Sequence, residues 1–202
     1  RSYSVTGVQT CALPIYFSMN DFFLLNNESL PHVFIDQNIE IKQILVKDLN
    51  RFSQFAGPIK KLESYSVETI TPLIQTNTLQ IMGVVSLTTS LDPNSFSEQL
   101  ENTVALADLV LKIIEVNIDV FRKELKSENE KGSSWFKAFS YLIKHGHRHD
   151  EILNMTYGAF IKYLNAAQEI ERQQIKSFAI ATRVANNAKQ QGWDKYLKQL
   201  DR

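Results

Sequence analysis

This sequence predicts a mainly α-helical protein: a helical N-terminal domain with a short β-hairpin at its start, and a C-terminal helical extension containing one long helix. Three observations carry the prediction. From Leu45 onward apolar residues recur three and four apart, the spacing of one helix face. Strand-like alternation is confined to the stretch from Phe22 to Ile44. Near the end, Thr156 to Lys189 reads as one long helical pattern.

Composition narrows the class. Hydrophobic residues make up 44% and charged residues 22% of the chain, the usual balance for a protein that buries a core. No apolar run approaches the roughly 18 to 20 residues needed to cross a bilayer. The formal net charge is zero, which gives no reason to expect a membrane or nucleic acid as partner. The charge is unevenly divided, however. Met19 to Glu130 holds 16 acidic and 9 basic residues, whereas Lys131 to Arg202 holds 12 basic and 6 acidic. This describes either two parts that attract each other or different partners, or two ordinary solvated surfaces.

The first residues are set aside before the fold is read. Val5-Thr6-Gly7-Val8-Gln9-Thr10-Cys11-Ala12-Leu13-Pro14-Ile15 resembles the translation of a common short-read sequencing adapter, and Tyr16 is compatible with the adapter's next base. Residues 1–18 are therefore expected to be adapter read-through, with Met19 as the candidate start; a native start further upstream stays open. Cys11 is the sole cysteine and lies inside that stretch, so disulfides, thiol catalysis and cysteine-based zinc sites drop out together.

In the alternating stretch, Val33 and Ile35 form one run and Ile39 and Ile41 another, with Asp36-Gln37-Asn38 as the turn and Pro31 at the start of the first strand. Leu45, Leu49, Phe52, Phe55 and Ala56 share a helix face, which Gly57-Pro58 breaks or kinks. Val67 to Ile74 and Leu79 to Leu87 read as two short helices, and Asp92-Pro93-Asn94 as a turn. Leu106, Leu109, Val110, Ile113, Ile114, Asn117 and Phe121 trace a helix from about Thr103 to Leu125.

Lys126 to Ser134 is polar and Ser-rich, and it coincides with the change of charge sign. It divides an acidic helical domain (19–125) from a basic helical extension (135–202), with 126–134 as the linker. Ser134 can cap a helix bearing Trp135, Phe136, Phe139, Leu142 and Ile143, which Gly146 ends. Asp150 to Asn154 is a short helical turn. Thr156 then caps the long helix, whose face holds Phe160, Leu164, Ala167, Phe178, Ala181, Ala185 and Ala188, interrupted by Glu171 and Gln174. So thin a stripe over some 30 residues needs a partner. Gly192-Trp193 precedes a last apolar set, Tyr196, Leu197 and Leu200.

The sharpest chemical candidate is His145-Gly146-His147-Arg148-His149-Asp150-Glu151, where His145, His147 and His149 with two carboxylates could ligate a transition metal. Against it, ligands two apart at a helix end point in different directions, and a helix C-terminus by itself favours a partly charged His145. No nucleophile elbow, no Gly-rich phosphate loop and no carboxylate pair set by sequence for acid–base work is present, so the chain is expected to be neither an enzyme nor a cofactor carrier. The aromatic helix at Trp135, Phe136 and Phe139 reads as core or as a docking face. A DNA-binding helix-turn-helix is the minority reading, because the positive charges look spread around the long helix.

The order of these features resembles the phage tail-assembly chaperones, or pre-tape-measure proteins, of long-tailed phages. Ile39-Glu40-Ile41-Lys42-Gln43-Ile44-Leu45-Val46-Lys47-Asp48-Leu49 is similar to their opening strand and the Asp-Leu helix after it. Ile113-Ile114-Glu115-Val116-Asn117-Ile118-Asp119-Val120-Phe121 resembles the close of their first domain, with Val120 where an aromatic is common. Trp135, Leu142, Gly146-His147, Ile152 and Met155-Thr156-Tyr157, followed by Phe160, are similar to the extension of the long form. The motifs are degenerate, and the likeness rests on their order across Met19 to Arg202.

In that family the first domain is made alone or joined to the extension, often by ribosomal frameshifting. The resemblance implies a non-catalytic chaperone in the host cytoplasm, absent from the mature virion. It would bind the tape-measure protein and recruit tail-tube subunits, without cofactor or membrane. A long helical client asks for apolar helical faces of modest affinity. Trp135, Phe136, Phe139, Phe160 and Leu164 are the residues expected to provide them. A metal-dependent protein, a DNA-binding regulator and a virion structural protein are the alternatives.

Overall fold

The computed structural model describes residues 21–122, 134–187 and 190–200. The expected adapter stretch with Cys11, and the linker up to Ser133, lie outside the described residues. What is described is mainly helical with one two-stranded hairpin near its start, the predicted class.

Helix α1 (Asp21–Leu25) stands where the strand-like reading began. Its adjacent Phe23 and Leu24 are both buried, which a strand with one face in solvent cannot do. Strands β1 (Leu30–Phe34) and β2 (Gln37–Ile41) pair antiparallel, from Leu30 opposite Ile41 to Phe34 opposite Gln37. The turn is therefore Ile35-Asp36 rather than Asp36-Gln37-Asn38. Phe34, Ile39 and Ile41 face the core, and Val33 is left 63% exposed. Period two fits either face, and the larger Phe34 takes the inner one. Beyond the hairpin, β2 is held to the segment after the fourth helix: Lys42 N–H donates to Thr88 O (2.6 Å) and Ser90 N–H to Glu40 O (3.0 Å).

Ile35 sits at φ 55°, the left-handed region that β-branched side chains avoid, and remains 39% exposed. Ile35→Gly is expected to raise stability by about 0.5–1 kcal/mol, relief of strain exceeding the glycine's added chain entropy. A urea midpoint that falls instead would show that the partial burial of Ile35 outweighs the strain.

A single 3-10 turn (Val46–Asp48) leads into α2 (Leu49–Lys60), which continues through Gly57-Pro58. Ile59 is fully buried on the face of Phe52 and Ala56, and this burial holds the helix across the hydrogen bond that proline removes. Helices α3 (Val67–Thr76) and α4 (Thr78–Thr88) follow the prediction; Ser66 and Thr69 close a reciprocal cap on α3. Asp92-Pro93-Asn94 proves to be the start of a helix, α5 (Pro93–Glu98). Asp92 Oδ2 accepts from the N–H groups of Asn94 (2.9 Å) and Ser95 (3.3 Å), and proline suits the first helical position.

The expected helix from Thr103 divides into α6 (Thr103–Val116) and α7 (Ile118–Phe121). Asn117 at the break is buried. Its Oδ1 accepts from Ile44 N–H (2.7 Å), and its Nδ2 donates to Lys42 O and Ile113 O (both 3.1 Å). The amide thus ties the helix pair to the strand exit.

Helices α8 (Trp135–Lys144), α9 (His149–Asn154), α10 (Tyr157–Asn187) and α11 (Gln190–Leu200) complete the chain. Ser134 Oγ accepts from Lys137 N–H (3.2 Å). Gly146, at φ 98°, closes α8 with Gly146 N–H on Ile143 O (3.0 Å) and His147 N–H on Leu142 O (3.1 Å). Leu142, Ile152 and Phe160 join the same buried cluster as Phe52, Leu106 and Ile113. One core therefore spans both sides of the predicted linker.

Candidate partner-binding surface

The surface is built from α8 and α10. Phe160 is the centre of an aromatic group: its ring lies 5.6 Å from Trp135 and 5.8 Å from Phe139, with Tyr157 6.4 Å away. These rings have different exposures. Phe136 is 81% and Trp135 53% exposed, Phe139 and Leu164 are partly buried against the core, and Phe160 is 1% exposed. The expected docking face is corrected accordingly. Phe160 belongs to the interior and presents no surface to a partner, being packed among Trp135, Phe139 and Tyr157 and part of the shared core.

Glu171 and Gln174 interrupt the apolar stripe in sequence, and for Glu171 the fold supplies the reason. Its carboxylate accepts from Tyr141 Oη (2.7 Å) and Lys144 Nζ (3.1 Å), clamping α8 to α10. The Tyr141 hydroxyl first, and then Lys144, hold the Glu171 carboxyl below its ordinary range. The same bond raises the Tyr141 phenol.

Beyond Ala167 no described residue of α10 is buried. Ile170, Ile175, Phe178 and Ile180 are all exposed, Phe178 at 75%. At 100° per residue, Ile170 and Ile175 fall roughly 80° and 60° to either side of Phe178, so they widen the face already formed by Phe178, Ala181 and Ala185. These isoleucines were missed in sequence because they stand off the strict stripe; their signal is an apolar residue repeating within one turn of it. Exposed Arg172, Lys176 and Arg183 recur at helical spacing on the opposite side. The positive charge of α10 is thus more gathered than the sequence reading allowed.

The three histidines part company. His145 lies against Tyr141 (ring centroids 4.7 Å), His147 against Tyr163 (4.9 Å) and His149 against Phe139 (5.5 Å). Among the described residues no three of His, Cys, Asp and Glu come together as metal ligands. An open groove of about 770 Å³ borders Trp135, lined also by Leu49, Val120, Phe121, Tyr157 and Ile161, with Lys60 and Arg122 among its polar neighbours. Arg122 pairs with Asp119 at 3.1 Å. No described helix is long and apolar enough to cross a membrane.

No family model, curated protein or solved structure matches the chain.

Proposed function

We propose that the chain is a non-catalytic phage tail-assembly chaperone of the long form, holding the tape-measure protein in the host cytoplasm while tail-tube subunits are recruited. One observation carries the reading: the distal half of α10 projects Ile170, Ile175 and Phe178 into solvent on one broad face. An apolar face of this length is a docking feature, because a helix of such sequence is not held by its own propensity. Trp135 and Phe136 extend the apolar surface on α8. Arg172, Lys176 and Arg183 favour a client helix with acidic flanks. The order of motifs from Ile39 to Phe160 supports the family assignment.

The test is co-expression of the full chain with the long coiled-coil-like protein encoded immediately downstream, followed by a pull-down. Ile175→Glu with Phe178→Glu is expected to weaken retention about 30-fold or more, the effect of losing a hot-spot side chain, with the melting curve unchanged because both residues are exposed. Phe136→Ala should lower retention by less. Retention by the double variant equal to wild type refutes the reading. Truncation at Glu130 discriminates poorly, since it strips Leu142, Ile152 and Phe160 from the shared core.

The basic side of α10 favours a second reading, a helical DNA-binding regulator. It predicts heparin retention that falls steeply with salt and depends on Arg172, Lys176 and Arg183.

A further inference from the structure

The two edges of the hairpin differ. On the β2 side, Ser90 N–H donates to Glu40 O (3.0 Å), and Glu40 N–H donates to Ser90 Oγ (2.8 Å). The backbone groups of Glu40 therefore face away from β1. Along an antiparallel pair, opposite residues alternate between bonding each other and turning their groups outward. Pro31, opposite Glu40, and Val33, two residues on, thus face away from β2. Among the described residues no backbone hydrogen bond reaches Val33 N–H, Val33 O or Pro31 O. The side chains beside these groups are apolar and exposed, with Val33 at 63%. Ile35 at the tip is held at φ 55° and is partly in solvent; strain of this kind gathers at binding sites. Acidic groups flank the strip. Exposed Glu40 stands opposite Pro31, and exposed Asp36 follows Ile35. Glu40 accepts from Ser29 Oγ (3.1 Å), and among the described residues neither carboxylate enters an ion pair. Lys42 is exposed two residues beyond Glu40, away from the tip, so the negative charge is strongest from Glu40 to Asp36.

We propose that the open edge of β1 receives an extended segment of a partner protein, added antiparallel as a third strand. The segment carries an aliphatic residue opposite Val33 and a lysine or arginine two places to either side. Its central residue exchanges both backbone bonds with Val33, and the residue opposite Pro31 donates its N–H to Pro31 O. The central side chain packs on Val33 as a cross-strand pair. One basic side chain reaches over the small ring of Pro31 to Glu40, and the other reaches Asp36 at the tip. An open edge with an exposed apolar strip is a liability that soluble proteins ordinarily blunt with lysine. Here the nearest charges are acidic, which selects a basic strand. They also disfavour a second copy of this chain, because a two-fold pairing about Val33 brings the acidic ends together. This inference does not rest on the tape-measure reading.

The test titrates the isotope-labelled full chain with a short capped peptide and follows the amide resonances. The peptide has valine at its centre, lysine two places to either side and threonine elsewhere. The Val33 amide is expected to shift to saturation and to exchange more slowly with solvent. The same peptide with glutamate for lysine should bind at least about tenfold more weakly. Val33→Pro removes the edge N–H at an outward position of the kind Pro31 already occupies, so the hairpin is expected to persist. Its affinity, followed at the Phe34 and Glu40 amides, should fall at least about tenfold. Asp36→Lys with Glu40→Lys, both on the surface, should reverse the preference to the glutamate peptide, and this variant carries the test if Val33→Pro does not fold. No shift at Val33, equal binding of the two peptides by wild type, undiminished affinity in folded Val33→Pro, or an unreversed preference in the double variant overturns the proposal.

Discussion

Phe160→Ala is expected to lower stability by about 3–5 kcal/mol, the cost of emptying a buried aromatic site, and to do so in one cooperative transition. Phe160 is 1% exposed and touches the rings of Trp135, Phe139 and Tyr157. It also belongs to the buried cluster that contains Phe52 and Ile113, so the loss is shared by both halves. The chain offers a convenient reporter: both tryptophans, Trp135 and Trp193, lie in the C-terminal half. Urea unfolding followed by tryptophan fluorescence reports that half, and far-ultraviolet circular dichroism reports the whole. Coincident curves for wild type and variant are expected. A fluorescence transition that moves to lower urea while the dichroism transition stays would mean that the extension unfolds by itself.

Asn117→Ala is the second large effect, with an expected loss of about 2–4 kcal/mol. The substitution leaves Ile44 N–H and Lys42 O without the amide that serves them at 2.7 and 3.1 Å, in a site where Asn117 is only 5% exposed. Unpaired buried groups cost more than the bond itself contributes when made, because water cannot replace the partner. Asn117→Asp keeps the acceptor for Ile44 N–H but turns a buried carboxylate oxygen toward Lys42 O and Ile113 O, and should cost at least as much as alanine at neutral pH. The measurement is the urea midpoint of the three proteins at constant slope. A loss below about 0.5 kcal/mol for alanine would mean that the strand exit finds other partners and that the break after α6 has a different cause.

Much of the candidate surface was legible in the sequence as composition and not as exposure. Trp135 and Phe136 stand out as aromatic residues just after a serine cap, and both are exposed. Phe160 and Leu164 carry the same apolar signal, yet one is buried and the other partly so, because the first turns of α10 rest on α1 and α7. The histidine run looks like a ligand cluster in one dimension. A helix end, a turn and a new helix start send its rings to Tyr141, Tyr163 and Phe139.

By itself the sequence determined the features that depend on neighbours within a few residues. The 3.6-residue period marks α2, α3 and α6, Ser134 and Thr156 start their helices, and Gly146 stops α8 at positive φ. Only the tertiary structure decided which hairpin face turns inward, whether the helix crosses Pro58, where Asn117 divides α6 from α7, and that the predicted linker separates two stretches sharing one core. Each of these turns on a contact between residues far apart in the chain, such as Asn117 with Ile44 or Thr156 with Leu24. Local propensity differs between such alternatives by about 1 kcal/mol or less per residue, and by about 3 kcal/mol at Pro58, whereas burying one large side chain contributes about 1.5–3 kcal/mol and several are buried together along α2. Where the two compete, burial prevails.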